Sequence, residues 1–292
     1  MTDQKTNQTH AILACIDGSI YADSVCGHAA WAAQRLGLGV RLLHVQEPHP
    51  TKDVPTERSG NLILGQRTKL LERLAQMDEE RGKLDLQKGR LILAHAKEEL
   101  AEAGVEQVET LHRRGSLVET LAELEGATNL ILIGKRGEHA DFADLHLGSN
   151  LERVVRGAHK PIMVCSRAFK PIAQFAVAYD GGASTARAVS EIANNTLFRG
   201  LTCHLLHVGD ETSTARQMTE QAAATLQAGG IQVQVVIRGG HPDKVIPAYV
   251  TEQSIDLLVM GAYGHSRIRT LIIGSTTSAM IRGVRIPLLL FR

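Results

Sequence analysis

The stretch AILACIDGS at residues 11–19 and the stretch FAVAYDGG at residues 175–182 decide the fold of this chain. Each is an apolar run of strand length that ends in an Asp-Gly pair, and Asp180 follows Asp17 by 163 residues. The tetrapeptide LLHV recurs at the same interval, at residues 42–45 and 205–208. Two landmarks in one register indicate that the chain contains two copies of one unit.

Later landmarks also recur and divide the chain. A G-x-x-G pattern stands at residues 134–137 and 261–264, and a Gly-Ser pair at 148–149 and 274–275. The interval between these later copies is shorter by about 36 residues, so the first copy carries an insertion, roughly residues 51–104. We expect domains at 1–168 and 172–292, joined by a connector short enough to hold the copies against each other.

Within each copy, short and nearly all-apolar runs alternate with longer amphipathic stretches. Runs that are apolar on both faces indicate strands of a covered parallel sheet, and their alternation with helices indicates βαβ crossovers. The sequence therefore predicts an α/β protein of two tandem doubly wound, mostly five-stranded parallel-sheet domains. The predicted strands are 11–16, 41–45, 108–111, 130–133, 162–164, 173–179, 202–208, 232–237, 257–260 and 288–291; in the second copy the predicted helices are 185–198, 214–228, 243–253 and 276–283.

The insertion has a periodic apolar pattern. Leu70, Met77, Leu84 and Leu91 are spaced by seven residues, with many charges between them. This spacing predicts a long helix or a helical hairpin. Its expected role is to cover the sheet, with a lid or an oligomer contact as the alternative.

Composition narrows the function classes. The chain has 292 residues, of which 43% are hydrophobic and 22% charged, as expected for a globular protein. With 32 basic and 31 acidic side chains, the chain has no net field that would attract nucleic acid or an anionic membrane. Only 3% of its residues are aromatic, so it has few side chains on which nucleic-acid bases could stack. Residues 1–10 are polar and no apolar run spans a bilayer, so we expect a cytoplasmic protein.

Candidate site residues fall where the predicted strands end. Ligands of open parallel sheets bind beyond the carboxyl ends of the strands. Asp17 and Asp180 end the first strand of each copy, and Gly134 and Gly261 follow the fourth strand. A G-x-x-G loop, a spacer and a Gly-Ser pair at a helix start supply free N–H donors and a hydroxyl, which suit phosphate. The aspartate suits ribose hydroxyls better.

This combination resembles the universal stress protein family over essentially the whole chain, apart from the insertion. The resemblance implies a Rossmann-like fold related to the adenine-nucleotide α-hydrolases, a pseudo-dimer of the two domains, and ATP bound through Gly-x2-Gly-x9-Gly-Ser. The second copy matches that motif completely. The implied nucleotide-binding residues are Asp180 at ribose or adenine, the main chain of Val208 at adenine, Met260 and Thr276 beside the phosphate loop, and Gly261, Gly264, His265, Arg267, Gly274 and Ser275 in or next to it.

The first copy departs from the motif. Its spacer, residues 138–147, has ten residues instead of nine and carries Glu138, Asp141 and Asp144. Carboxylates oppose phosphate unless a divalent ion such as Mg²⁺ or Mn²⁺, or the pair Lys135 and Arg136, compensates. We therefore expect ATP chiefly in the C-terminal domain, and a weaker second site at Asp17, Val45, Gly134, Gly137, Gly148 and Ser149.

Binding is better supported than catalysis. The chain has no G-x-x-x-x-G-K-[ST] loop, and no catalytic residue or metal site can be assigned from spacing, so we expect slow ATP hydrolysis at most. The resemblance implies a regulatory binding protein in stress adaptation, with protein partners that the sequence does not identify. Two alternatives remain: a nucleotide-independent tandem interaction module, and an ATP-dependent enzyme of the α-hydrolase type, for which residues 181–184 give a faint match to a pyrophosphate loop.

The sequence also allows predictions for four histidines and for the oligomeric state. His44 and His207 lie inside apolar strands and are interpreted as packed side chains rather than metal ligands. His139 and His146 stand in the acidic loop, where solvated side chains are favoured over a metal site. Because the two copies provide their own pairing surface, the chain can be a monomer. The insertion offers a further contact surface, so a homodimer remains an alternative.

Overall fold

The computed structural model describes residues 11–47, 64–137, 149–262 and 275–292, in which strands and helices alternate. The first copy consists of β1 (Ala11–Cys15), α1 (Ala22–Leu36), β2 (Gly39–Gln46), α2 (Leu64–Glu102), β3 (Val108–Arg114), α3 (Leu117–Leu124), β4 (Thr128–Gly134), α4 (Ser149–Gly157) and β5 (Ile162–Cys165). The second copy consists of β6 (Gln174–Ala178), α5 (Ala183–Asn194), β7 (Thr202–Val208), α6 (Ser213–Ala228), β8 (Gln232–Arg238), α7 (Pro242–Glu252), β9 (Leu257–Gly261), α8 (Ser275–Gly283) and β10 (Leu288–Phe291).

The predicted α/β class is confirmed, and all ten predicted strands are present. The helix predicted over 185–198 is wrong in extent, because α5 ends at Asn194 and a separate 3₁₀ turn spans Thr196–Phe198. Asn195 between them has an extended backbone, and its side-chain oxygen accepts a hydrogen bond from the N–H of Leu197 at 2.9 Å. Asparagine often ends a helix in this way, because its side chain competes for backbone donors.

All ten strands form one sheet in the order β3-β2-β1-β4-β5-β10-β9-β6-β7-β8. Neighbouring strands are parallel within each half. At the junction β5 pairs with β10 antiparallel, with Leu289 opposite Met163. The two halves therefore repeat the same strand order in opposite directions, and their parallel strands point toward opposite ends of the shared sheet.

Each face of the sheet has its own apolar core. Helices α1, α2, α5 and α6 cover one face, and α3, α4, α7 and α8 cover the other. Ile12 and Leu13 are successive residues of β1, and both are fully buried in opposite cores. Burial on both faces explains why the strands read as continuous apolar runs.

The connector between the copies is packed against α1. A Cβ atom at Gly27 would lie 2.7 Å from the ring of Phe169. The ring can therefore occupy this position because Gly27 has no side chain. Nearby, Arg35 Nε donates a hydrogen bond to the Leu197 carbonyl at 2.5 Å, and Thr196 Oγ1 donates to the Arg35 carbonyl at 2.7 Å. The halves are thus in direct contact, as the short connector predicts.

The insertion forms α2, a single helix of 39 residues rather than a hairpin. Its C-terminal part buries Leu93, Ala96 and Leu100 in the core beside α1. Further toward its N-terminus, large apolar side chains of the predicted seven-residue series are exposed: Met77 by 59%, Leu84 by 65% and Leu91 by 72%. Among the described side chains of α2, the predicted covering role therefore holds for those of its C-terminal part. The side chain of Leu70 and residues 51–63 lie outside the described part of the chain.

No helix in the described part of the chain is both long and apolar enough to cross a membrane.

Candidate functional site

The carboxyl edge of the second half gathers the described candidate residues of that copy. Asp180 follows β6, Val208 ends β7, Met260 and Gly261 end β9, and α8 begins with Ser275 and Thr276. Because β6, β7 and β9 are adjacent parallel strands, their ends meet at one edge. Gly264, His265, Arg267 and Gly274 lie outside the described residues.

The first half repeats this arrangement at the opposite end of the sheet. Asp17 follows β1, Val45 lies at the end of β2, Gly134 ends β4, Gly137 follows it, and Ser149 begins α4. Gly148 lies outside the described residues. Because β5 and β10 run antiparallel, the two carboxyl edges face opposite ways. The copies therefore offer two separate edges and not one shared cleft.

The two aspartates are held differently. Asp180 Oδ1 accepts hydrogen bonds from the Gly182 N–H at 2.8 Å and from Thr185 Oγ1 at 2.6 Å, while the residue itself stays exposed. Asp17 Oδ1 accepts from the Ser19 N–H at 3.1 Å and is half-buried. The Thr185 bond fixes the Asp180 carboxylate against the first turn of α5 and leaves it accessible to a ligand.

A pair of histidines supports the aspartates from the neighbouring strand. His44 Nδ1 donates to the Ile16 carbonyl at 2.8 Å, and His207 Nδ1 donates to the Tyr179 carbonyl at 2.9 Å. Each carbonyl belongs to the residue just before the aspartate. The histidines are therefore packed side chains that position the ends of β1 and β6, in agreement with the interpretation from sequence.

The first glycine of each motif lies close against a helix start. A Cβ atom at Gly134 would lie 2.8 Å from Tyr21 Cβ, and one at Gly261 would lie 3.0 Å from Ser184 Cβ. Tyr21 and Ser184 are equivalent positions at the interval of 163 residues. Tyr21 is 92% buried in the first copy, because only 8% of it is exposed. Tyr21 thus places a larger, buried side chain beside Gly134 than Ser184 places beside Gly261.

This difference was missed in the reading of the sequence, although the 163-residue register was a signal that could have revealed it. Lys135, named with Arg136 as a charge that could offset the carboxylates of the first spacer, has a partner in the other half. Its Nζ donates to the Val284 carbonyl of the second copy at 2.6 Å. Burial, with a smaller contribution from Arg136, lowers the pKa of Lys135 to about 8. The ammonium is committed to the contact between the halves.

A second residue that the sequence reading missed ties α8 to β9. Thr277 is buried, and its Oγ1 donates to the Ala262 carbonyl at 3.1 Å and lies 3.4 Å from the Gly261 carbonyl. This contact holds the first turn of α8 beside the end of β9. The N-terminal N–H groups of a helix and its positive dipole end favour anions at such a place.

A cavity of about 240 Å³ lies elsewhere, between the halves on the face covered by α1 and α5. Its lining includes Asn129 and Leu130 at the amino end of β4 and Arg187 and Glu191 on α5. Arg187 Nε is paired with Glu191 Oε1 at 2.8 Å. None of the candidate edge residues lies in its wall, so this cavity is separate from both carboxyl edges.

The fold and the edge residues define a tandem α/β protein with a glycine motif beyond the fourth strand of each half. The profile of the Universal stress protein family matches residues 9–166 and 211–292. A universal stress protein of Synechocystis sp. (strain PCC 6803) is 39% identical over 284 residues, covering 96% of this chain and 99% of the relative. The chain belongs to the universal stress protein family.

Solved structures show the same two-domain fold. A universal stress protein from Archaeoglobus fulgidus DSM 4304 matches with a TM-score of 0.69 at 22% identity, over 97% of this chain and 98% of that one. A protein from Pseudomonas aeruginosa UCBPP-PA14, described as a putative universal stress protein, matches with a TM-score of 0.59 at 17% identity, over 97% and 92%. The likeness of fold thus covers 97% of the chain.

Proposed function

We propose that this tandem universal stress protein binds ATP chiefly in its C-terminal domain, with Mg²⁺ or Mn²⁺ on the nucleotide, and acts as a cytoplasmic regulatory binding protein in stress adaptation. Slow or no hydrolysis accompanies binding. The observation that carries the proposal is the edge around Asp180: an exposed carboxylate, a strand end at Gly261 and the start of α8 lie together. That set suits ribose on one side and phosphate on the other.

The preference for the C-terminal domain is supported by three contrasts with the first copy. The phosphate motif of the second copy has the nine-residue spacer and the basic residues His265 and Arg267. The helix start beside its glycine carries Ser184, whereas the first copy carries the buried Tyr21. Lys135 is held at Val284 and is turned to the other half. Together these leave the first copy as the weaker site.

The assembly is part of the same proposal. Residues 1–168 and 172–292 are the two domains, and they form an intramolecular pseudo-dimer through β5 and β10. A homodimer would need a further surface, for which the exposed side chains of Met77, Leu84 and Leu91 on α2 are available. Light scattering distinguishes one chain from two.

Calorimetric titration of nucleotide-free protein with ATP in the presence of Mg²⁺ tests the site. Gly264→Val and Gly274→Val each place a side chain where the phosphate must approach the backbone, and we expect both to abolish ATP binding. Gly148→Val, at the position in the first copy that is equivalent to Gly274, is the matched control and should retain it. Circular dichroism checks that each variant is folded.

Wild-type affinity in both folded second-copy variants would refute the site. If the unmodified chain gives no heat with ATP under either Mg²⁺ or Mn²⁺, the nucleotide-independent interaction module replaces the proposal.

A further inference from the structure

We propose that α2 pairs antiparallel with α2 of a second copy of this chain, about a two-fold axis, so that the insertion makes the protein a homodimer. The contact surface is the exposed apolar series Met77, Leu84 and Leu91, with the charged residues beside it. This surface belongs to the assembly proposed for the chain and rests on that proposal, but it is independent of ATP binding at either carboxyl edge.

The N-terminal part of α2 stands away from the first domain. Every residue from Glu72 to Arg81 is exposed, which amounts to about three turns of helix. Farther along the helix Gly89 is buried, and Leu93 and Leu100 lie in the core. Most helices in proteins are stabilised by the packing of one face, and a short isolated helix is marginal in water. Among the described residues, the projecting turns of α2 therefore have no packed face of their own.

The exposed apolar residues of α2 form one stripe. A spacing of seven residues is close to two helical turns, so Met77, Leu84 and Leu91 lie along the same side of the helix. Between 59% and 72% of each is exposed, so this side is turned away from the core. An apolar stripe with this period is typical of a helix that packs along another helix, and its exposure indicates a contact surface.

Charge selects the partner and the direction of pairing. Residues 72–80 carry four acidic and one basic side chain, a net charge of −3, and residues 81–90 carry four basic and one acidic, a net charge of +3. The pair of Lys83 with Glu79 within the helix, at 2.8 Å, removes one charge from each segment and leaves both signs unchanged. An antiparallel second copy places each acidic segment opposite a basic one, whereas a parallel copy places like charges together. The helix is therefore complementary to itself in the antiparallel direction.

The apolar stripe has the symmetry that such a pair requires. The point midway between Glu80 and Arg81, where the charge changes sign, is also midway between Met77 and Leu84. With the two-fold axis at this point, Met77 of one copy packs against Leu84 of the partner subunit, and the reverse contact follows from the symmetry. One axis thus satisfies the apolar contacts and the charges together. Because the stripe is turned away from the core, the two domains lie on the outer sides of the helix pair.

Analytical ultracentrifugation of the full-length, tag-free and nucleotide-free chain over a range of concentrations tests the surface. We expect a dimer, and Leu84→Glu should raise its dissociation constant by about tenfold or more, because side chains at the centre of an interface contribute most to binding. Leu86→Glu is the matched control. Leu86 is 40% exposed and lies only two residues away, on a different side of the helix, so this variant should dimerise like the unmodified chain. Circular dichroism checks that both variants are folded.

ATP binding is measured separately by calorimetry. A dimer of a chain that binds no ATP would still support the surface, whereas an unmodified chain that binds ATP and stays monomeric at every concentration would overturn it. An undiminished dimer in folded Leu84→Glu would overturn it as well.

Disulfide cross-linking reports the direction of pairing. The four native cysteines are buried, so a cysteine introduced in the stripe is the accessible thiol. A mixture of Met77→Cys and Leu84→Cys chains should form a covalent dimer under mild oxidation. Met77→Cys alone should not, because its two thiols would be separated by about 10 Å along the antiparallel pair, too far for a disulfide. Faster cross-linking of Met77→Cys alone than of the mixture would overturn the antiparallel arrangement.

Discussion

At the scale of single residues, the two copies differ in how they hold the same aspartate. Thr185 donates to Asp180 Oδ1, and the equivalent position in the first copy is Ala22, which has no hydroxyl. Asp180 therefore has a fixed orientation and an exposed carboxylate, whereas Asp17 is half-buried. The difference makes Asp180 the better candidate to bond ribose hydroxyls.

Asp180→Asn tests this contact with little disturbance of the fold. Asparagine keeps an oxygen that can accept from Gly182 and Thr185, but it loses the charge. Hydrogen bonds to charged groups contribute about 1.5–3 kcal/mol, so we expect ATP affinity to fall roughly ten- to a hundredfold, measured by calorimetry. Asp17→Asn is the control, and its affinity should match that of the unmodified chain. Equal losses in both variants would contradict the preference for the second copy.

A site residue can be predicted when its role comes from the local sequence, but not when its role comes from contacts with distant segments. The strand ends at Asp17, Asp180 and Gly261 are local features, since apolar runs and the Asp-Gly pair are visible in sequence. The positions of Tyr21 and Lys135 are set by contacts with distant segments, at Gly134 and Val284. No periodicity encodes such contacts.

At the scale of elements, close approach of α5 and α6 depends on one glycine. Gly229 caps the end of α6, and a Cβ atom there would lie 2.3 Å from the Ala193 carbonyl oxygen and 2.7 Å from its Cα. Both contacts are with backbone, so a side chain at this position has to push the helices apart. The distance between α5 and α6 at this point is thus set by Gly229, which has no side chain.

Gly229→Ala should therefore destabilise the protein by about 1–3 kcal/mol, the usual cost of overpacking, in a urea denaturation experiment. Gly283→Ala is the matched control. Gly283 is also at a helix end, nothing lies within 4 Å of a Cβ built there, and its backbone is not left-handed. Its substitution should leave stability within about 0.5 kcal/mol. Equal effects of the two substitutions would show that the contact at Ala193 is not the cause.

Helix boundaries show which elements the sequence predicts well. The ten predicted strands are confirmed because strands that are buried on both faces consist of apolar residues throughout. The helix predicted through residue 198 fails at Asn195, where a side chain competes with the helix for a backbone N–H. The seven-residue series in α2 predicts a helix correctly, but it does not reveal that Met77, Leu84 and Leu91 stay exposed.

At the scale of the whole molecule, the sheet continues through both halves and its core holds all four cysteines as buried free thiols. Burial is the main cause that raises the pKa of each thiol from 9.0, to about 12 for Cys15 and further for Cys26, Cys165 and Cys203. Lys135 has the opposite shift, from 10.5 to about 8. Because the pKa values of these buried groups differ between the folded and the unfolded chain, the free energy of unfolding depends on pH in the alkaline range.

The free energy of unfolding should fall as pH rises above about 9. Unfolded thiols lose protons there, whereas the folded thiols keep them up to about pH 12 or beyond, so their contribution is present below pH 9 and is lost above it. Lys135 contributes the reverse slope between about pH 8 and 10.5, but four thiols outweigh one ammonium. Urea denaturation from pH 8 to 11 measures the slope, and Cys203→Ala should reduce it. A flat profile would contradict the burial of the thiols.

The central claim is one ATP site per chain, in the C-terminal domain. The most direct measurement is the stoichiometry of ATP binding to the nucleotide-free, full-length chain, preceded by mass spectrometric identification of any nucleotide released on denaturation. We expect one ATP per chain, and loss of that site in Gly274→Val. Two ATP per chain would contradict the preference for the second copy, and none would contradict nucleotide binding itself.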